Sequence, residues 1–292
     1  MGMKVVVISG CSSGIGLATA VMMAKDSGQR YKVFATMRNM SKKSDLEISA
    51  GDQLGKTLFI KELDVSKEES VKKFAEDILE SEGRVDILIN NAGYGQAATL
   101  ENASLEKSRQ LFETNFFGAM HLTQKFIPSM KRNKSGHIIF ISSTVTTFGI
   151  PFCEVYTASK CALNGLAETL APQLALFNVK VSIVCPGPVG TKFAPNMAII
   201  DDAESDTETK AVREKYMKTL TEFISGNLQT GEEVAAVVQE AIQAEKPDFR
   251  YYTSPKDLQS ASTKYSDTTG NGVIQFVSKL YFKDIKVGHS SD

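Results

Sequence analysis

"KVVVISGCSSGIGLATAVMMA", residues 4–24, decides the fold. Within its first six residues, Val5 to Ile8 are β-branched and apolar without alternation, the pattern of a strand buried on both faces. Gly10, Gly14 and Gly16 follow at once, and from about residue 14 to 27 the spacing turns helical. A buried strand, a glycine turn and a helix open a parallel α/β unit.

The same unit recurs downstream. "KVFATM" (32–37), "TLFIKEL" (57–63), "DILINNA" (86–92), "HIIFISS" (137–143) and "KVSIVCP" (180–186) read as further strands. Helical stretches are expected near 67–81, 104–131 and 155–177. That order implies an α/β, doubly wound parallel sheet of Rossmann type, with right-handed crossovers and ligands at the carboxyl ends of the strands. A single domain is expected over 1–283, with a helical substrate lid at about 192–226 that includes the acidic run "DDAESDTE" and the more helical "TKAVREKYMKTLTEFIS". Residues 284–292 hold few core-forming side chains and read as a mobile tail.

Composition removes several function classes. A formal net charge of -1 gives no electrostatic reason to bind nucleic acid or an anionic membrane. The four cysteines (Cys11, Cys153, Cys161, Cys185) form no C-x-x-C pair and read as reduced thiols. With only three widely spaced histidines as well, no metal is expected. No secretory pattern precedes Lys4 and no apolar run is long enough to span a bilayer. A cytoplasmic location, with peripheral membrane contact at most, is the expectation.

Glycines in "SGCSSGIG" let the chain turn tightly and set the backbone N–H groups of Gly10, Ser12, Ser13, Gly14, Ile15 and Gly16 against a pyrophosphate at the helix start. An NAD site usually places a carboxylate at the end of the second strand, for the ribose 2′-hydroxyl. Here that strand ends "ATMR", and Arg38 suits a 2′-phosphate through paired charge-assisted hydrogen bonds. NADP(H) is therefore favoured over NAD(H). Asp64, with Val65, ends the third strand where an adenine amino group would donate. "NNAG", with Asn91, Ala92 and Gly93, ends the fourth and lets backbone approach a cofactor closely.

"EVYTASK" (154–160) sets Tyr156 and Lys160 one helical turn apart. Together with "GCSSGIG", "LDV", "NNAG", "TNFFGA", "ISS" and "PGPVGT", in that order, it resembles the short-chain dehydrogenase/reductase family, single-domain branch, over roughly residues 4 to 255. The resemblance implies four catalytic positions, Asn115, Ser143, Tyr156 and Lys160. Carbonyl reduction needs a hydride on carbon and a proton on oxygen. A free tyrosine has a pKa of about 10, and a lysine cation one turn away is expected to favour its phenolate. Ser143 would hold the substrate oxygen, Lys160 would also reach the nicotinamide ribose, and Asn115 would support a proton-returning water chain. Ser142, next on the strand, would face the other way. The family also implies that Pro186, Gly187, Val189 and Thr191 shape the nicotinamide pocket, and that helices 104–131 and 155–177 pair in a homodimer.

Val145, Phe148, Ile150, Pro151, Phe152, Pro188 and Phe193 surround the catalytic segment and the lid entrance. Of these, Val145, Ile150, Phe152 and Phe193, with Ser143, are the expected substrate contacts, so the substrate is expected to be lipophilic. "ISGCSSGIG", "RYKVFATMR", "ETNFFGA" and "SGHIIFISS" are similar to the branch that handles retinoids and 17-oxygenated steroids. Steroid-handling members carry a histidine on the lid helix and a glutamate near the chain end, where this chain has Thr219 and Leu280. Reduction of all-trans-retinal is favoured over 17β-hydroxysteroid interconversion. A non-catalytic NADP sensor is a third reading, disfavoured because all four catalytic residue types are present.

Overall fold

The computed structural model describes residues 2–191, 198–199 and 205–282, the pair 198–199 as backbone only. In chain order the elements are β1 (Lys4–Ile8), α1 (Gly14–Ala24), β2 (Tyr31–Met37), α2 (Ser44–Ala50), β3 (Leu58–Glu62), α3 (Glu68–Glu82) and β4 (Ile87–Asn90). Next come β5 (Gln96–Ala97), α4 (Leu105–Phe112), a π-helical turn at Glu113–Gly118, α5 (Ala119–Asn133), β6 (Gly136–Ile141) and α6 (Glu154–Ala175). The chain continues through β7 (Val179–Cys185), β8 (Ala198–Ile199), α7 (Thr207–Ser225), α8 (Gly231–Gln243), β9 (Arg250–Tyr252), α9 (Pro255–Ser266) and α10 (Asn271–Phe282).

Seven strands form one sheet in the order β3-β2-β1-β4-β6-β7-β9, every pair parallel. The six apolar runs are its first six strands. The seventh, "RYY", was not read in advance: it is three half-buried residues at the sheet edge. β5 and β8 make a separate short parallel pair, Gln96 opposite Ala198.

Alternation along each strand divides the core in two. Val5, Val7, Leu88, Ile138 and Phe140 face α3, α5 and α6, where Phe74, Phe126 and Leu163 meet them. Val6, Ile8, Val33, Ile87, Ile89 and Ile139 face the other way, onto Ala20 and Met23 of α1 and Val234 and Val238 of α8. Both faces are therefore dry, and β-branched side chains fill the pleat on each. This is a single-domain doubly wound sheet. Strand order reverses between β1 and β4, which opens a crevice at their carboxyl ends. The helix expected over 104–131 is interrupted by the π-helical turn, which carries Asn115.

Candidate active site

Around the glycine turn, three close approaches fix residue size. Gly10 has φ +76, and a Cβ there would lie 2.8 Å from Ala92 Cα. Gly14, at φ +61, faces Thr191, whose Cβ would be 3.1 Å away. A side chain at Gly16 would collide with the Asn91 amide and the Gly10 carbonyl. Asn91 ties the turn to β4: its Nδ2 donates to Ser9 O (2.9 Å) and Gly10 O (3.0 Å). Ser9 Oγ accepts from the N–H groups of Asn91 and Ala92, both at 3.0 Å. Ser9 is a brace that sequence reasoning missed, because a serine at a strand end carries no distinguishing signal.

No side chain caps α1, and its first turn holds no acidic residue. Ser104, Asp206, Thr230 and Ser254 do cap α4, α7, α8 and α9. The uncapped start, rimmed by half-buried Ser12, Ser13, Gly14 and Ile15, presents N–H groups and a positive helix end. A pyrophosphate fits those donors.

The neighbouring strand ends complete the crevice. Arg38 is exposed just past β2, and its charge favours ionisation of the Tyr94 phenol, which burial opposes more strongly. Asp64 Oδ1 accepts from Ser66 N (3.1 Å) and Ser66 Oγ (2.7 Å), which orients the carboxylate beside buried Val65. Gly93 is exposed, and a Cβ there would sit 3.1 Å from Asn115 Oδ1 and 3.3 Å from Lys160 Nζ.

Asn115, Ser143, Tyr156 and Lys160 come together below Gly93. Fully buried Asn115 accepts from Tyr94 N (3.0 Å) and donates to Tyr94 O (3.0 Å) and Ser159 Oγ (3.1 Å). Ser159 Oγ in turn donates to Tyr156 O (2.7 Å), so the π-helical turn and α6 are joined through these side chains. Ser143 lies just past β6, accepts from Val145 N (3.3 Å) and hydrogen-bonds the Tyr156 phenol. Ser142 faces away and donates to Asn164 Oδ1 (2.7 Å).

Burial holds the Tyr156 phenol above its ordinary value of 10.0, the Ser143 hydrogen bond pulls it down, and the nearby Cys153 thiol raises it. Lys160 Nζ donates to Ile141 O at 2.9 Å, and burial lowers its pKa from 10.5 to about 8. The lysine was expected to favour the phenolate. In this structure the Ser143 hydrogen bond lowers the phenol's pKa, and the lysine nitrogen donates to the end of β6.

Val145, Ile150 and Tyr156 share one apolar cluster with Leu111, Tyr94 and Phe112. Phe148 instead packs on Phe276 of α10, with ring centroids 5.8 Å apart. Phe152 has φ +62, a strained value for a non-glycine residue, and its ring lies 5.0 Å from Tyr216 of α7. Phe193 lies outside the described residues, as do 192–197 and 200–204 of the expected lid and the tail from 283. The 186–191 loop is pinned: Pro186 O accepts from Thr144 N (2.9 Å), Pro188 O from Gln229 N (2.9 Å) and Val189 O from Thr191 N (2.8 Å). A Cβ on Gly187 would be 2.9 Å from Asp257 Oδ2. On the lid helix, Thr219 Oγ1 donates to its own helix at Lys215 O (3.3 Å), and Leu280 on α10 is half-buried.

The family model for short chain dehydrogenases matches residues 4–199. Retinol dehydrogenase 8 of Bos taurus is 41% identical over 96% of this chain and 91% of its own length. Estradiol 17-beta-dehydrogenase 1 of Rattus norvegicus is 36% identical over 98% of this chain and 84% of its own. Among solved structures, an alcohol dehydrogenase from Thermococcus sibiricus complexed with 5-hydroxy-NADP is similar, with a TM-score of 0.69 and 27% identity over 86% of this chain and 95% of that one. So is a short chain dehydrogenase/reductase from Burkholderia phymatum in complex with NAD, with a TM-score of 0.76 and 26% identity over 92% and 95%. The chain belongs to the short-chain dehydrogenase family and is an oxidoreductase. Among the described residues, no helix is long and apolar enough to cross a membrane.

Proposed function

We propose that this chain is an NADP(H)-dependent carbonyl reductase and alcohol dehydrogenase for a lipophilic substrate, with all-trans-retinal reduced to retinol as the favoured reaction. One observation carries the reading: the Tyr156 phenol, buried beside Val145 and Ile150, is hydrogen-bonded to half-buried Ser143. A carbonyl oxygen placed there accepts from both hydroxyls while an apolar body rests on the surrounding side chains.

The nicotinamide, when bound, supplies the hydride that forms the new bond to the carbonyl carbon. Tyr156 gives its proton to the oxygen and Ser143 stabilises the charge that develops on it. Lys160 and Asn115 flank Gly93, where the ribose is expected, and Asn115 would support a water chain that returns a proton to the Tyr156 phenol. The uncapped start of α1 would hold the pyrophosphate, Arg38 the 2′-phosphate and Asp64 the adenine. The relatives at 41% and 36% identity, named for retinol and estradiol, support a lipophilic alcohol or carbonyl, and the second makes a 17-keto steroid the alternative. We place the protein in the cytoplasm as a homodimer through its α4–α5 and α6 faces, with peripheral membrane contact at most.

The test is loss of the near-ultraviolet band of the reduced cofactor, with all-trans-retinal and estrone offered separately and NADPH or NADH as donor. Rapid loss with retinal and NADPH that Tyr156→Phe abolishes is the expected result. Preference for estrone would replace the retinoid reading, and preference for NADH would overturn the cofactor assignment.

A further inference from the structure

Asp257 on α9 turns its carboxylate onto Gly187, in the loop that follows β7. A Cβ on that glycine would lie 2.9 Å from Oδ2, 3.1 Å from Oδ1 and 3.3 Å from Cγ, so the carboxylate lies broadside against the loop backbone. The sheet brings the two segments together. β7 and β9 are parallel neighbours with Cys185 opposite Tyr252, and the chain leaves both strands on the same side of the sheet. Gln229 then ties one to the other. Its N–H donates to Pro188 O (2.9 Å), its Nε2 donates to Thr253 O (2.7 Å), and Thr253 Oγ1 donates back to its Oε1 (2.6 Å). Ser254 Oγ donates to Asp257 Oδ2 (2.7 Å) and accepts from Asp257 N (3.2 Å), which fixes the direction of the carboxylate.

A carboxylate drawn out of water normally has a cation beside it. Asp257 is half-buried, and among the described residues no ion pair includes it. Burial raises its pKa, the Ser254 bond lowers it, and no cation is among the groups acting on it. Arg250, on β9, is bonded to Glu168 of α6 instead (2.8 Å). The first turn of α9 favours a negative charge at Asp257 without neutralising it. That charge is felt inward: burial chiefly raises the Cys185 thiol at the end of β7, and Asp257 adds to the rise. The group expected against the 186–191 loop is a nicotinamide, which is cationic when oxidised and neutral when reduced.

We propose that Asp257 is an electrostatic complement to the oxidised nicotinamide, favouring binding of the cationic form over the neutral one and so biasing the site toward hydride donation. This rests on the reductase reading above, which puts the nicotinamide at this loop, and adds a direction to it. In that reaction the hydride carries both electrons of its C–H bond to the carbonyl carbon, the oxygen takes the Tyr156 proton, and the ring is left one unit more positive. A fixed negative charge stabilises that product and the transition state leading to it. Arg38 lies past β2, far across the sheet order from β9, so the two residues act on opposite ends of the cofactor.

The test measures dissociation constants for NADP⁺, NADPH, NAD⁺ and NADH by calorimetry on the full chain, at about pH 8, where a carboxylate is ionised. Asp257→Asn is isosteric and can still accept from Ser254. In that variant the ratio of the NADPH to the NADP⁺ dissociation constant is expected to fall roughly tenfold. The NADH to NAD⁺ ratio should fall by the same factor, because the nicotinamide is common to both pairs and the 2′-phosphate is not. Asp257→Glu keeps the charge and should keep both ratios even if every affinity drops. Glu240→Gln, which removes an exposed charge from α8, should leave the ratios alone. A merely structural role would weaken oxidised and reduced forms equally. That result, or affinities that do not change, overturns the proposal and leaves the reductase reading standing. A ratio that falls as expected while no carbonyl is reduced supports the proposal and sinks the reductase reading alone.

Discussion

Asn115 holds the Tyr94 peptide at both ends, accepting from its N–H and donating to its C=O, each at 3.0 Å. Replacing it with leucine leaves the part-buried N–H and C=O of Tyr94 without their side-chain partner, while Ser159 keeps its bond to Tyr156 O. Asn115→Leu is expected to cost about 3 kcal/mol of stability in urea unfolding, at 1–3 kcal/mol for each uncompensated buried group. Nicotinamide nucleotide binding should weaken too, because Gly93 rests against the same amide.

The Ser143–Tyr156 bond makes a sharper kinetic prediction. Tyr156→Phe removes the proton donor and should slow single-turnover reduction by roughly 10²–10⁴-fold. Ser143→Ala removes both the oxyanion donor and the bond that opposes burial at the phenol, at a cost of roughly 10²–10³-fold. Nucleotide affinity should be unchanged in both, and a fall in affinity matching the fall in rate would contradict the assignment.

Lys160 predicts a pH dependence of stability. Its folded pKa, about 8, lies below the ordinary 10.5. Between those values the unfolded chain binds the additional proton, so this residue's contribution rises with pH across the window and is lowest below 8, where the buried amine stays charged. Cys11, Cys153 and Cys185 have the opposite sign: burial raises them from 9.0 to about 12, 12 and 11, so their contribution is lost as pH climbs above 9. The measurement is therefore a difference, wild type minus Lys160→Met in urea. It should grow by about 1 kcal/mol per pH unit between 8 and 10, and a flat difference would refute the burial account.

Arg38 isolates the cofactor preference. Arg38→Ala should raise the KM for NADPH about 10–100-fold, the worth of charge-assisted hydrogen bonds to a phosphate, and leave NADH unaffected. Equal loss with both cofactors would mean that the side chain supports the loop rather than a 2′-phosphate.

Six of the seven sheet strands were legible because dry parallel strands are written as unbroken apolar runs, "KVVVI" being the clearest. β9 was not, since three half-buried residues at an edge leave no such run. The tetrad was legible through the family resemblance of the motifs around Asn115, Ser143, Tyr156 and Lys160, with Tyr156 and Lys160 one helical turn apart. Ser9 was hidden for a different reason. Its importance lies in which partners its hydroxyl has, and that is settled only once distant segments meet. The π-helical turn was hidden as well, because the apolar spacing of 104–131 runs through it without a break.

That turn also fixes a count. A π turn is one residue too many for the regular helix around it. A chain one residue shorter between Glu113 and Gly118 would still wind a helix there, and a more regular one. Everything on one side of the deletion would then swing by roughly 100° about the axis, one residue's share of a 3.6-residue turn. Either Asn115 would leave the Tyr94 peptide, or Leu122 and Phe126 would leave the core. The superfluous residue lets one helix serve two masters, and its loss should be tolerated less well than most substitutions within the same segment.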